Sequence, residues 1–325
     1  MLRVSRVFIL LVAAWASLGI AAEQTTPGRS IRLGYLATNQ PAPDVWDAFR
    51  QRLREAGFIE GQNLVIQLRH ASGQRHRLDA LAAELAHASP DVLVASGTSA
   101  VLAAKTATST IPIVIAGASD PVAFGLVPSL AHPGGNITGV ADSPGREIEG
   151  KRLELLKEAV PHATRIAVVL DSSGQRDPGS IRTAAAALGL MLIVSLETTN
   201  ADEFRRTFAM LKREGAQALY APETPVNAQH RDLLVALAAE HRLPAIYGAR
   251  EFVEAGGLMA YGPSYVELHR HVVSYIERIR KGARVGDLPV EQPTRLELTL
   301  NVRTADALGL TIPRPLLLRA DHMIR

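Results

Sequence analysis

The feature that most constrains this chain is an alternation, begun near residue 31 and then run through a second time, of short apolar runs with stretches patterned at helical spacing. Such alternation builds parallel sheets covered by helices on both faces. Ile31 to Ala37 reads as a first strand. Val45, Trp46, Phe49, Leu53 and Ala56 then recur at helical spacing, and Gly57 closes the helix as a C-terminal glycine should. Leu64 to Leu68, Asp91 to Ser96, Ile111 to Ala116 and Ile137 to Val140 read as further strands, with a helix marked by Leu78, Leu81, Ala82 and Leu85. A second series follows a helix from about Glu147 to Val160. Its strands are expected at Arg165 to Leu170, Met191 to Leu196, Gln217 to Ala221, Ala245 to Tyr247 and Leu258 to Tyr261, spaced by helices near 178–188, 202–214 and 227–241.

About five strands therefore lie on each side of residues 141–146, which describes one α/β architecture used twice. The expected fold is two Rossmann-like lobes with parallel sheets, joined by several crossing segments. The lobes are expected at 30–140 plus about 262–285, and at 141–261 plus about 286–325. A helix from Tyr265 to Lys281 and a tail with Leu296 to Leu300 and Thr304 to Leu308 are expected to tie the two together. A length of 325 residues suits two cores better than one.

The first residues differ in kind. Arg3 and Arg6 precede an uncharged stretch from Val7 to Ile20, and Ala21-Ala22 leads into polar Glu23-Gln24-Thr25. A basic start, an apolar stretch short for a membrane span and small residues at its end describe a cleavable signal peptide over 1–22. Removing Arg3 and Arg6 lowers the formal charge from +3 nearly to neutrality. With aromatics at 5% and basic residues interleaved with acidic ones, the chain lacks the concentrated basic, stacking face of a nucleic-acid binder. Zero cysteines exclude a disulfide framework, a thiol nucleophile, a thiolate metal site and a lipidated cysteine. The expected location is the periplasm, as a free protein and not a lipoprotein.

In open parallel sheets ligands bind beyond the carboxyl ends of the strands, where helix N-termini present N–H groups. The candidate ligand-binding residues are therefore those just after each strand. They are Thr38 and Asn39; Ser96, Gly97, Thr98 and Ser99; and Ala118, Ser119, Asp120 and Pro121. The second series supplies Asp171, Ser172 and Ser173, Glu223 and Thr224, and the tyrosines Tyr247 and Tyr261 that end strands. Thr98 or Ser99 is expected to cap the helix Ala100 to Ala107, and Asp120 and Pro121 to open another. Tyr35 is a further aromatic near the same strand ends. Each of these residues also has a plain reading as turn, cap or core.

Enzyme motifs are poor. Gly145 to Lys151 has the spacing of a phosphate loop, but Arg152 stands where a Ser or Thr would hold magnesium, and two glutamates sit inside the loop. Gly97-Thr98-Ser99-Ala100-Val101 lacks the second glycine of a nucleophile elbow. His269 and His271 are two apart on a helix and face different ways. No catalytic residue, metal site or cofactor is expected.

Several motifs run in one order along the chain: Leu53-Arg54-Glu55-Ala56-Gly57-Phe58-Ile59-Glu60-Gly61, Thr110-Ile111-Pro112-Ile113-Val114, Pro133-Gly134-Gly135-Asn136-Ile137-Thr138-Gly139, Gly150-Lys151-Arg152-Leu153, Arg242-Leu243-Pro244-Ala245, and Leu288-Pro289-Val290-Glu291-Gln292-Pro293. In these the sequence resembles ABC-transporter substrate-binding proteins with the type I periplasmic-binding-protein fold, a family that includes binders of tryptophan and related amino acids. The resemblance implies two lobes closing on a small-molecule ligand and delivery to a membrane permease with its associated ATPase. It also implies that Gly97-Thr98-Ser99 and Ser119-Asp120-Pro121 form the first-lobe ligand loops. The family often carries Asn-Pro after the first strand of the second lobe, where this chain has Asp171-Ser172-Ser173. A ligand-sensing receptor subunit and an exported enzyme on the same fold stay open as alternatives.

Overall fold

The computed structural model describes residues 30–325, apart from 144, 146, 171–177 and 196–199. The expected signal peptide and Asp171, Ser172 and Ser173 lie outside the described residues. The first half runs β1 (Ile31–Ala37), α1 (Pro43–Glu55), β2 (Leu64–His70), α2 (Leu78–His87), β3 (Val92–Ser96), α3 (Thr98–Ala107), β4 (Ile113–Ala116) and β5 (Ile137–Val140). The second runs α4 (Glu147–Ala159), β6 (Arg165–Val169), α5 (Pro178–Ala187), β7 (Met191–Ser195), α6 (Ala201–Arg213), β8 (Ala218–Ala221), α7 (Pro225–Gln229), α8 (Arg231–Glu240), β9 (Ala245–Tyr247), α9 (Arg250–Glu254) and β10 (Met259–Pro263). Then come α10 (Tyr265–Arg280), β11 (Val290–Glu291), β12 (Leu296–Asn301), α11 (Val302–Leu308), α12 (Arg314–Arg319) and β13 (His322–Ile324).

Two sheets result. One has the order β2-β1-β3-β4-β5-β11 and the other β7-β6-β8-β9-β10-β12-β13. Their first five strands repeat one order, second-first-third-fourth-fifth, all parallel. β12 pairs antiparallel with β10, and β13 pairs parallel with β12, so these last two strands run against the rest of their sheet. The inner strands β4, β8 and β9 are apolar throughout, as sheets covered on both faces require, whereas edge strand β2 carries Gln67, Arg69 and His70. Tyr35, Val92 and Val94 pack under α1, through its Phe49, and α10, while Leu36, Leu93, Ile113 and Ile115 pack under α2 and α3. The second sheet is likewise packed between α4 and α5 on one face and α6, α8 and α9 on the other.

The helices begin and end where local chemistry dictates. Asn200 accepts the Asp202 and Glu203 N–H groups at the start of α6, and Ser264 accepts the Glu267 N–H at the start of α10. Gly57, at φ 81°, ends α1. Three expectations need correction. The stretch 227–241 is two helices broken at His230, because Thr224 caps a separate five-residue turn of helix. No helix follows Pro121; residues 121–126 form turns, with Asp120 Oδ1 accepting the Ala123 N–H at 3.1 Å. Val290 and Glu291 pair with Gly139 and Val140, so the chain stays on the first sheet beyond residue 286 and crosses only before β12.

The chain therefore passes between the sheets three times: after β5, after β10, and between β11 and β12. Thr138 Oγ1 donates to the Leu288 carbonyl at 2.8 Å and Gln292 Nε2 to the Ser143 carbonyl at 3.3 Å, which ties the first crossing to the third.

Candidate functional site

In a sheet of order 2-1-3-4-5 the chain leaves β1 and β3 in opposite directions, and a crevice opens beyond their carboxyl ends. Both sheets have such a crevice, and the two face each other across one cleft of about 680 Å³. Roughly 300–1,000 Å³ is the range for small-molecule sites.

The first-lobe wall is built from strand ends. Thr38 and Asn39 follow β1, and Ser96, Gly97 and Thr98 follow β3; all line the cleft. Gly97 holds φ 89° and is itself the N-cap of α3, with no side chain capping that helix. Thr98 does something else: its Oγ1 accepts the Ser119 N–H at 3.0 Å, clasping the loop after β4 to the loop after β3. Gly97 and Thr98, at the start of α3, line the cleft, which sets the positive end of the helix dipole beside it. Beside them the Thr38 hydroxyl oxygen is buried with no hydrogen-bond partner among the described residues.

Ser119 lines the cleft and donates from Oγ to Asp142 Oδ1 at 3.1 Å. Asp142, on the first crossing, also lines the cleft. The second lobe contributes Glu223 and Thr224 after β8, Gln229 and Arg231, and Glu251 and Phe252 of α9. Burial pushes the Glu251 carboxyl above its ordinary range, with Asp44 across the cleft adding repulsion.

Other expected residues fall elsewhere. Ser99 and Ala118 are buried beside the cleft without lining it, and Asp120 and Pro121 make the turn described above. Tyr247 lies in the second-lobe core, stacked on Phe252 at 4.9 Å between ring centroids, and Tyr261 packs toward α4 and α5. Tyr35 is wholly buried; its hydroxyl donates to His269 Nε2 at 2.8 Å. The physical reason is the period of two in a strand: a side chain pointing at the covering helix belongs to the core, whether inside the strand, as for Tyr35 and Tyr261, or at its last residue, as for Tyr247.

Asp142, two residues past the end of β5, also reaches the cleft though it is not among the expected residues, and strand ends do not disclose Tyr265 or His269, which lie on α10. His269 Nδ1 lies 2.9 Å from the Tyr265 carbonyl and so carries the ring proton, leaving Nε2 to accept from Tyr35. Burial pulls its pKa down from 6.5 to about 4, against the opposing pull of the Tyr265 carbonyl and Asp44. The cleft thus holds a neutral imidazole at physiological pH.

A consequence for stability follows from linkage. As pH falls from about 6.5 to about 4 the unfolded chain binds a proton that folded His269 refuses, so stability drops by about 1.4 kcal/mol per pH unit, about 3 kcal/mol in all. Denaturant unfolding at pH 7.0 and pH 4.5 should show most of this loss, about 2 kcal/mol, in the unaltered protein. In His269→Gln it should be smaller by most of that amount; an unchanged pH slope would contradict the buried, neutral assignment.

Among the described residues no three His, Asp or Glu side chains come together as they would to hold a metal ion. A family model described as ABC transporter substrate binding protein matches residues 42–324. The chain is 25% identical over 284 residues to the tyrosine-binding protein of Clostridioides difficile, covering 87% of this chain and 81% of that one. Among solved structures it matches an ABC domain from Streptococcus pneumonia in complex with L-Trp, with TM-score 0.83 and 24% identity over 91% of this chain and 100% of that chain. It also matches a ligand-free, open substrate binding protein with adhesive properties from Clostridium difficile, with TM-score 0.66 and 27% identity over 90% of this chain and 99% of that chain.

Proposed function

The chain belongs to the ABC transporter substrate binding protein family, and on that premise we propose that it captures a small zwitterion, an amino acid or close relative, between its two lobes without performing chemistry on it. One observation carries the ligand class. The positive end of the α3 dipole, and the buried Thr38 hydroxyl that has no partner among the described residues, suit a carboxylate, and Asp142 and Glu223 suit an ammonium group on other sides of the same cleft. Tyr265, Phe252, Val45 and Pro43 offer apolar surface for a side chain, and neutral His269 adds no charge there. The tyrosine-binding relative and the L-Trp complex support an aromatic amino acid.

The better superposition on the L-Trp complex than on the ligand-free, open relative, at nearly equal coverage, supports reading this conformation as the closed one. Closure is proposed to turn on the three crossings near 141–146, 263–265 and 292–295, with the first lobe at 30–140 plus 265–291 and the second comprising the rest. The closed form then delivers its solute to a membrane permease with an associated ATPase. Export to the periplasm by cleavage of 1–22 completes the proposal; the mature chain should begin close to Glu23 in a periplasmic extract, and intact Met1 on a cytoplasmic protein would contradict it.

A thermal-shift panel of amino acids, sugars and polyols tests the ligand class. L-Tyrosine, L-tryptophan or another amino acid should raise the unfolding temperature. A response confined to sugars or polyols would overturn it. Thr38→Val, which keeps the shape and removes the hydroxyl, should weaken the binding of the responding amino acid roughly tenfold or more, as expected for a lost hydrogen bond to a charged group.

A further inference from the structure

At the lip of the cleft the lobes touch through the turn at residues 71–74 and Gln229, a cleft-lining residue to which no ligand contact was assigned above. Ala71 to Gln74 form a tight turn in which the Gln74 N–H donates to the Ala71 carbonyl at 3.0 Å. Ser72 and Gly73 at its centre hold φ of 51° and 76°, the left-handed pair of a type I′ turn. The turn hangs from the end of β1: the Ala71 N–H donates to the Ala37 carbonyl at 3.1 Å and the Gly73 N–H to the Thr38 carbonyl at 2.9 Å. Opposite stands Gln229, the last residue of α7, whose first turn is fixed by Thr224 Oγ1 accepting the Asn227 N–H at 3.2 Å. The Gln229 amide lies so close over Gly73 that a β-carbon there would sit 1.6 Å from Oε1 and 2.2 Å from Cδ.

We propose that Gly73 and Gln229 form a latch between the lobes, which sets how long the closed cleft holds its solute. The inference rests on the reading of the cleft as a solute site that closes. Each half of the latch is tied to a ligand-facing loop, the Gly73 turn through Thr38 and α7 through Thr224. A solute that steadies those two loops also brings the latch into register. Glycine is needed at 73 twice over: its φ suits no larger residue well, and any β-carbon takes the place of the amide. Gln229 is exposed and its amide free to swing aside, so a side chain at 73 does not bar closure. It removes the contact that slows reopening.

The chain has no cysteine, which makes the first test direct. Gly73→Cys with Gln229→Cys should be captured as an intrachain disulfide on mild oxidation of the protein without added solute. No capture would overturn the latch, whatever the protein binds. The second test measures dissociation of L-tryptophan and L-tyrosine. Gly73→Ala and Gln229→Ala should each speed release roughly threefold to tenfold, the scale of one neutral contact, and the double variant no more than either alone, since both remove one interaction. Unchanged release, or effects that multiply, would overturn it. If neither amino acid binds the unaltered protein, the ligand class fails and the disulfide alone decides the latch.

Discussion

Replacing Arg152 with alanine should destabilise the second lobe by about 3–5 kcal/mol, the cost of leaving a buried charge without its partner. Arg152 is 1% exposed and its guanidinium serves three elements at once. Nε donates to the Tyr261 carbonyl at 2.7 Å, one terminal nitrogen to the Tyr220 hydroxyl at 3.0 Å and the other to the Gly248 carbonyl at 3.3 Å. Glu149, one turn earlier on α4 and itself buried, stands 3.7 Å away and accepts from the Tyr220 hydroxyl. Alanine would strand the Glu149 carboxylate and two carbonyls, and leave a cavity where the side chain lay. Lysine keeps a charge but cannot make three divergent bonds. The replacement of Arg152, Glu149 and Tyr220 together by Met, Leu and Phe should recover most of the loss, because the unpaired charge goes with its partner. Urea unfolding followed in each variant measures this; an alanine variant within 1 kcal/mol of the unaltered protein, a shift no larger than ordinary surface changes give, would refute the network.

Neutralising the cleft carboxylates should lower affinity far more than stability. Asp142→Asn retains an oxygen able to accept from Ser119 Oγ, so the clasp between the loops after β4 and β5 persists while the charge is lost. Glu223→Gln makes the same exchange on the second lobe, where the backbone at 223 is fixed against Gly248. A charge-assisted bond to a bound ammonium group is worth about 1.5–3 kcal/mol, so the variant that loses it should bind its amino acid about 10- to 150-fold more weakly. Calorimetric titration of each variant, beside unfolding of the empty protein, separates the two effects. Weak binding with matching loss of stability would mean that the carboxylates shape the loops only. Unchanged affinity in both variants would remove the ammonium site from the account.

The repeated architecture was legible in the sequence because strands buried on both faces are written as unbroken apolar runs, such as Ile113–Ala116 and Arg165–Val169 with their β-branched residues. Elements whose signal is weak or whose partner is distant were not. Val290–Glu291 is a two-residue strand whose pairing with Gly139 and Val140 depends on where α10 delivers the chain. The helix Arg250–Glu254 and the closing strand His322–Ile324 are too short to show a period.

The candidate site divides along the same line. Thr38, Ser96, Gly97, Thr98, Glu223 and Thr224 line the cleft because the topology alone puts residues after those strands at a crevice. Tyr247 ends β9 and Tyr261 stands in the middle of β10, and the face of the pleat each occupies sends its ring toward a core. Asp142 follows β5 by two residues and the strand-end rule could have reached it. Tyr265 and His269 give no such signal, since a crossing helix borders the cleft only after both sheets are in place. In the sequence Arg152 spoils a phosphate loop and belongs to one of the motifs that carry the resemblance; its part in the second-lobe core is visible only in the structure.

Whether a closed cleft holds one small zwitterion is tested by mass spectrometry of what the protein carries when purified from its own host and then denatured. The account predicts a single amino acid or close relative, released at close to one molecule per chain. A sugar, or no small molecule from a protein that likewise fails to respond to any amino acid, would contradict it.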